Sequence, residues 1–211
     1  MENQGCITPT LRYATAFCLA CLFAAILFPL FARKSGSKSP SCQSNLKQIA
    51  LGVFQYTQDY DERYPIVEVN DSHVSSDNPH GWADALQPYL KSTQLYQCPA
   101  ENALANDNKP TRSGYTDYWY NARLNGLKQK AVRHVASTLL LGDGNDGTEA
   151  TNARYSLKQL PAAWRTDANS PAMRHLEGAN YAFADGHVKW FKPERINGQT
   201  PKPHIATFAV K

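Results

Sequence analysis

The feature that most constrains this chain is Tyr13–Ala32, YATAFCLACLFAAILFPLFA, twenty consecutive residues without a charged side chain. As an α-helix rising about 1.5 Å per residue, such a stretch extends roughly 30 Å, the thickness of a bilayer's hydrocarbon core. It is predicted to span a membrane, meeting lipid through residues 13–32. A secretory signal peptide is the competing reading. Its apolar region normally runs only about 7–15 residues, and here Phe28, Pro29, Leu30 and Phe31 stand where small cleavage-site residues belong. An uncleaved anchor fits better. Cys21 follows Leu19 and Ala20 as in a lipidation site, but Cys18 stands where such sites carry leucine. Pro29 is compatible with a membrane helix, in which neighbouring groups satisfy the freed carbonyl. Arg33, Lys34 and Lys38 after the span outnumber Arg12 before it, which places the bulk of the chain inside by charge alone. The cysteines argue for the opposite orientation, and both remain open at this point.

The span divides the chain into a short polar tail (1–12), the helix (13–32), a Ser/Gly/Pro linker (33–41) and a domain (42–211). The roughly 180 residues beyond the span suffice for one domain with its own core. A formal net charge of +4 is spread among interspersed acids, with no basic stripe or recognition motif. Nucleic acid is therefore not an expected partner. Of five cysteines, Cys6, Cys18 and Cys21 belong to the tail or span, leaving Cys42 and Cys98 in the domain. Two cysteines are too few for a tetrahedral zinc site unless histidines join them. A single Cys42–Cys98 disulfide suits an extracytoplasmic compartment, and two buried free thiols are the alternative.

Within the domain, Ser39 as N-cap and Pro40 in the first turn predict a helix start. Leu46, Ile49, Ala50, Val53, Phe54, Thr57 and Tyr60 then recur at three- and four-residue spacing, one apolar stripe that must pack on something. The pattern ends over Asp61–Pro65. Gly81–Lys91 reads as a short or broken helix, and Leu95–Pro99 as an extended segment stopped by its proline. Strands are predicted in YTDYWYN from Tyr115 and in Ser137–Gly142. Residues 150–174 read as irregular, anchored by Leu157, Leu160 and Trp164. Tyr181 and Phe183, then Val188 and Trp190, alternate around Asp185-Gly186, predicting a hairpin with a two-residue type I′ turn. A short edge strand is predicted at Ile205–Val210.

Three ordered stretches together resemble a known family. AAILFPLFAR leading to SCQSNLKQIALGVFQYTQDYDERYP is similar to the N-terminal half of bacterial prepilin-like proteins related to type II secretion pseudopilins, and LYQCPA is similar to their mid-chain Cys-Pro segment. HLEGANYAFADGHVKWF carries His175, nine residues, then Asp185-Gly186, the His-x(9)-Asp-Gly signature of the group's C-terminal domain. The resemblance implies a pilin-like α+β fold, in which a membrane helix continues into an amphipathic helix packed on a small antiparallel sheet. It implies a single-pass protein of the cytoplasmic membrane with an extracytoplasmic domain, other pseudopilin-like subunits or secretion proteins as partners, and no known reaction. The chain departs from the pattern at its start. Gly5 is followed by Cys6 rather than Phe, and no acidic residue occurs from Ile7 to Gln58, so the processing site and the assembly carboxylate of a type IV prepilin are both missing.

Two candidate sites follow. His175 with Asp185 and Gly186 reads either as a metal or partner site, which His187 could join, or as turn structure in which His175 caps backbone groups. DGNDGTE offers oxygens at Asp143, Asn145, Asp146 and Glu149, of the kind calcium prefers, although the spacing is not that of an EF-hand. The resemblance adds weight to calcium, because some pseudopilins bind it in a late loop; a solvated turn is the alternative. No nucleophile elbow, His-Glu-x-x-His pair or phosphate loop occurs, so no enzyme is expected. Tyr115, Tyr118, Trp119 and Tyr120 are read as strand and core residues rather than a ligand platform.

Overall fold

A computed structural model of the chain describes residues 13, 17–19, 21, 39–67, 81–100, 116–144, 153–198, 200 and 205–210. The chain divides into two units, Met1–Ser37 and Lys38–Lys211. In the first, Tyr13, Phe17, Cys18, Leu19 and Cys21 are helical and exposed. The rest of the predicted span lies outside the described residues, and among those described no helix is long and apolar enough to cross a membrane.

The second unit opens with α1, Ser39–Asp59, so the predicted linker ends sooner than residue 41. The stripe is buried at Leu46, Ile49, Ala50, Val53 and Thr57, and Tyr56 joins it. Tyr60, which the periodicity assigns to the buried face, is half exposed and stacks on Tyr56 with ring centroids 4.1 Å apart. Asp61 and Glu62 end the helix with positive φ angles of 52° and 58°.

The helix lies on a sheet with strand order β3-β1-β2-β4-β5, built from β1 (Tyr118–Asn121), β2 (Leu139–Asp143), β3 (Ser156–Leu157), β4 (Ala179–Phe183) and β5 (Val188–Phe191). Both faces are covered, which explains why the strands read as aromatic and apolar runs rather than a clean alternation. Tyr118, Tyr120, Leu140, Ala182 and Ala184 share a core with α1. The small alanines let the helix approach closely. Trp119, Leu139, Tyr181 and Phe183 face a second core completed by Leu160, Trp164 and Phe208, so two of the predicted anchors are buried; Leu157 packs against it half-buried. Gly142 stands between Trp119 and Tyr181 on neighbouring strands, and any Cβ there would collide with both rings.

Four sequence expectations need correction. The sheet is mixed rather than antiparallel, because β1 and β3 run parallel. The late edge strand shrinks to β7 (Ala206–Thr207), parallel to β6 (Ile196–Asn197) in a separate two-stranded sheet. Thr93–Tyr96 is a 3₁₀ turn rather than an extended segment, closed by Tyr96 Oη donating to the Ala83 carbonyl at 2.8 Å. The hairpin loop is three residues, Ala184-Asp185-Gly186, rather than two: Gly186 N donates to Phe183 O at 2.8 Å and Phe183 N to His187 O at 2.9 Å. Gly186 alone in that loop has positive φ, +84°, the arrangement of a turn followed by a glycine bulge. The broken helix of Gly81–Lys91 is present as α2 (Trp82–Ala85) and α3 (Gln87–Leu90).

Candidate functional site

The chemically richest group of side chains lies at one end of the sheet, where four distant segments converge. Cys42, in the first turns of α1, is disulfide-bonded to Cys98, with Cα atoms 5.2 Å apart across 56 residues. The predicted pairing is thus present, buried at 0% and 1% exposure. On the chain-entropy picture a loop of that length contributes roughly 4 kcal/mol. Its surroundings are fixed by hydrogen bonds between side chains and backbone. Asn45 Nδ2 donates to Gln97 O at 2.8 Å, and Cys98 N donates to Asp117 Oδ2 at 2.7 Å.

His175 meets this disulfide from the other side. Its Nε2 lies 3.5 Å from Cys98 Sγ and 3.2 Å from Asp143 Oδ2. Asp143 ends β2, fully buried, and its Oδ2 also accepts from Asn180 N at 2.7 Å. No hydrogen-bond donor among the described residues reaches its Oδ1. The carboxylate is felt nearby: burial first, then the charge of Asp143, push the phenols of Tyr118 and Tyr181 upward.

A tight turn holds His175. His175 N donates to Gly178 O at 2.7 Å, and its carbonyl accepts from Trp190 Nε1 at 2.6 Å. Between them Leu176 and Glu177 both take positive φ, 58° and 60°, a conformation that side-chain-bearing residues adopt at a cost of about 1–2 kcal/mol each. The paired positive φ angles expected at Asp185-Gly186 therefore occur at the opposite end of the hairpin strand.

The predicted partnership of His175 with Asp185 does not form. Five of the nine intervening residues build β4, and an extended strand carries its two ends apart rather than together. Asp185 instead serves its own loop. Its Oδ1 accepts from His187 N at 3.1 Å and pairs with His187 Nδ1 at 2.6 Å. Gly186 packs on the Phe54 ring, and its carbonyl accepts from Lys47 Nζ at 2.6 Å, pinning the loop to α1. The cluster of His175, Asp185 and His187 is therefore not assembled.

Of the proposed calcium ligands, Asp143 is a buried strand end turned to His175 and Asn180, while Asn145, Asp146 and Glu149 lie outside the described residues. Tyr118, Trp119 and Tyr120 are core, as predicted; Tyr115 lies outside the described residues. What sequence reasoning missed is the convergence of Cys42, Cys98, Asp143 and His175. No spacing rule could have joined them, and the one available hint was that zinc needs a histidine beside two cysteines.

A second feature is a surface cleft of about 690 Å³ along the outer side of the hairpin. Arg133, Lys189 and Arg195 line it together with His134, Phe183 and Phe191. Lys189 Nζ stands 5.2 Å from the Phe191 ring centroid, and His187 stacks on Phe183 at 4.2 Å.

Residues 39–132 match the family model SBP_bac_10, described as protein of unknown function (DUF1559). The match covers α1, both cysteines and β1, and it supports the resemblance to prepilin-like proteins at the level of a coarse family. The His-x(9)-Asp-Gly segment lies beyond it. No curated protein and no solved structure matches the chain.

Proposed function

We propose that this protein is a membrane-anchored, pseudopilin-like structural or assembly component of a secretion- or pilus-type system, contributing surfaces rather than turnover. The observation that carries this reading is the order of its parts. An uncharged stretch of twenty residues precedes a 21-residue amphipathic helix whose stripe is buried on a sheet. The disulfide at the start of that helix supports an extracytoplasmic domain on a single-pass anchor in the cytoplasmic membrane. The test is fractionation of cells expressing the full chain, followed by intact mass. The chain should need detergent for extraction and should appear in filaments sheared from the cell surface. Release by salt or alkali alone would defeat the reading.

The cleft favours a second reading, an anchored binding module outside any filament. Arg133, Lys189 and Arg195 beside Phe183 and Phe191 suit an anionic ligand with an apolar or aromatic body. Chain found dispersed in membrane, and absent from sheared filaments, would favour this reading over the first.

A further inference from the structure

We propose that the chain, once its disulfide is reduced, binds one zinc ion through Cys42, Cys98, His175 and Asp143. The inference stands apart from the anchoring and assembly reading, because it rests only on atoms inside the second unit.

A tetrahedral zinc site places thiolate sulfur about 2.3 Å, and imidazole nitrogen or carboxylate oxygen about 2.0–2.2 Å, from the metal, so neighbouring ligand atoms stand roughly 3.3–3.8 Å apart. The ligand atoms of Cys42, Cys98 and His175 all lie within 4.8 Å of one another. Cys98 Sγ to His175 Nε2, at 3.5 Å, is already such an edge. His175 Nε2 to Asp143 Oδ2, at 3.2 Å, is close to another. Of the four other edges, Cys42 Sγ to His175 Nε2 lies within 4.8 Å, the two between Asp143 and the sulfurs close as the carboxylate turns onto the metal, and the last is the sulfur pair. Breaking the S–S bond lets the sulfurs relax to ordinary contact, near 3.7 Å, which is the separation that two zinc-bound thiolates require.

The donor set is two thiolates, one imidazole and one carboxylate, each a ligand type that zinc takes, from four separate segments, all buried. Asp143 supplies an independent sign. Its Oδ1 is buried and receives no donor among the described residues, a costly arrangement for a carboxylate whose company is a histidine and a disulfide. A carboxylate that grips the metal through both oxygens satisfies it, while Oδ2 keeps its edge with His175. Three anionic ligands on a dication leave one negative charge, and Arg174 anchors its guanidinium on the Gly144 carbonyl, next in chain to Asp143, with Nη2 at 3.0 Å. In the oxidised state His175 and Asp143 touch each other beside the S–S bond, at 3.2 Å.

The chemistry balances. A dithiol reductant delivers two electrons and two protons to the S–S bond and leaves as its own cyclic disulfide, giving two thiols at Cys42 and Cys98. Zinc then displaces both thiol protons to solvent. A disulfide oxidant reverses the sequence: it takes the two electrons from the thiolates and two protons from solvent to become a dithiol, and the metal leaves as the Cys42–Cys98 bond closes. Disulfide and metal are thus alternative cross-links at one place.

The test uses the full chain in detergent, with Cys6, Cys18 and Cys21 replaced by serine to remove competing thiols. Oxidised and dithiol-reduced samples are loaded with cobalt(II) as a zinc probe, and separately with zinc followed by gel filtration and elemental analysis. The reduced chain should retain one metal and show sulfur-to-cobalt charge-transfer absorption; the oxidised chain should show neither. His175→Gln should weaken cobalt binding about tenfold to a hundredfold or more, and Asp143→Asn should do the same while preserving size. Both variants can be checked for folding by circular dichroism in the oxidised state, where the disulfide still holds them. A reduced, folded chain without the charge-transfer band would overturn the proposal. So would a band undiminished by His175→Gln, which would leave His175 and Asp143 as packing partners of a disulfide only.

Discussion

At Gly186 one atom decides whether the hairpin can dock. Its φ of +84° is unfavourable for any residue with a Cβ, and that Cβ would stand 2.6 Å from Phe54 Cε2. Gly186→Ala should therefore cost about 2–4 kcal/mol, the sum of a left-handed backbone penalty and overpacking against α1. Urea unfolding checks the size, and Gly186→Asn separates the causes. Asparagine tolerates positive φ, so a fully stable asparagine variant would show that the close approach to Phe54 matters little. Leu176 and Glu177 present the reverse case. Both hold positive φ without being glycine, and Leu176 is 82% exposed, so neither conformation is repaid by burial of its side chain. Replacing the pair with Asn-Gly, the dipeptide such turns favour, should raise stability by about 1 kcal/mol and lift the thermal midpoint. An unchanged midpoint would mean that the turn is not strained.

Between elements, the Cys42–Cys98 bond ties α1 to the segment that follows the Thr93–Tyr96 turn. Replacing both cysteines with alanine should lower stability by roughly 4 kcal/mol, read as a shift in urea midpoint that reductant no longer changes. A loss below about 1 kcal/mol would argue that the unfolded chain is already compact across that loop. This element level is also where sequence reading succeeded and failed for identifiable reasons. The α1 stripe was legible because one face of a helix carries a period that few alternatives share, whereas Tyr60 escaped burial at the helix end. The hairpin strands were legible from their alternation. Their loop was not, because Ala184-Asp185-Gly186 places glycine suitably for either a two- or a three-residue turn, and docking on Phe54 and Lys47 selects the longer one. Leu95–Pro99 looked extended up to its proline, while the Tyr96–Ala83 hydrogen bond rewards a tight turn instead. β3 is two residues long, too short to leave a periodic trace, so the parallel pairing that makes the sheet mixed was invisible. His175 and Asp185, close in the sequence, are held apart in the fold, since linear proximity becomes distance along the strand between them.

Over the whole molecule, pH should act through buried phenols. Tyr64 is 1% exposed, its hydroxyl turned toward the Ala184 carbonyl, and burial together with the charge of Asp185 pushes its pKa from 10.0 to about 12. Between those values the unfolded chain releases the phenolic proton while the folded chain keeps it, so the folded state binds more protons and stability falls as pH rises. The contribution is complete below pH 10 and is lost on the way to pH 12, at most about 2–3 kcal/mol for this residue. Urea midpoints measured across that range should decline, and Tyr64→Phe should flatten the decline; an equal slope in the variant would remove Tyr64 as its cause. The disulfide has a different consequence at this scale. Because it joins Cys42 to Cys98, the chain between them is a covalent ring, and the apolar N-terminal stretch enters that ring at one cysteine while residues 99–211 leave at the other. A protease that nicks the ring once anywhere between the two cysteines opens it without severing the molecule: both sheets, which lie beyond Cys98, stay leashed to the N-terminal stretch through sulfur until a reductant cuts the second path.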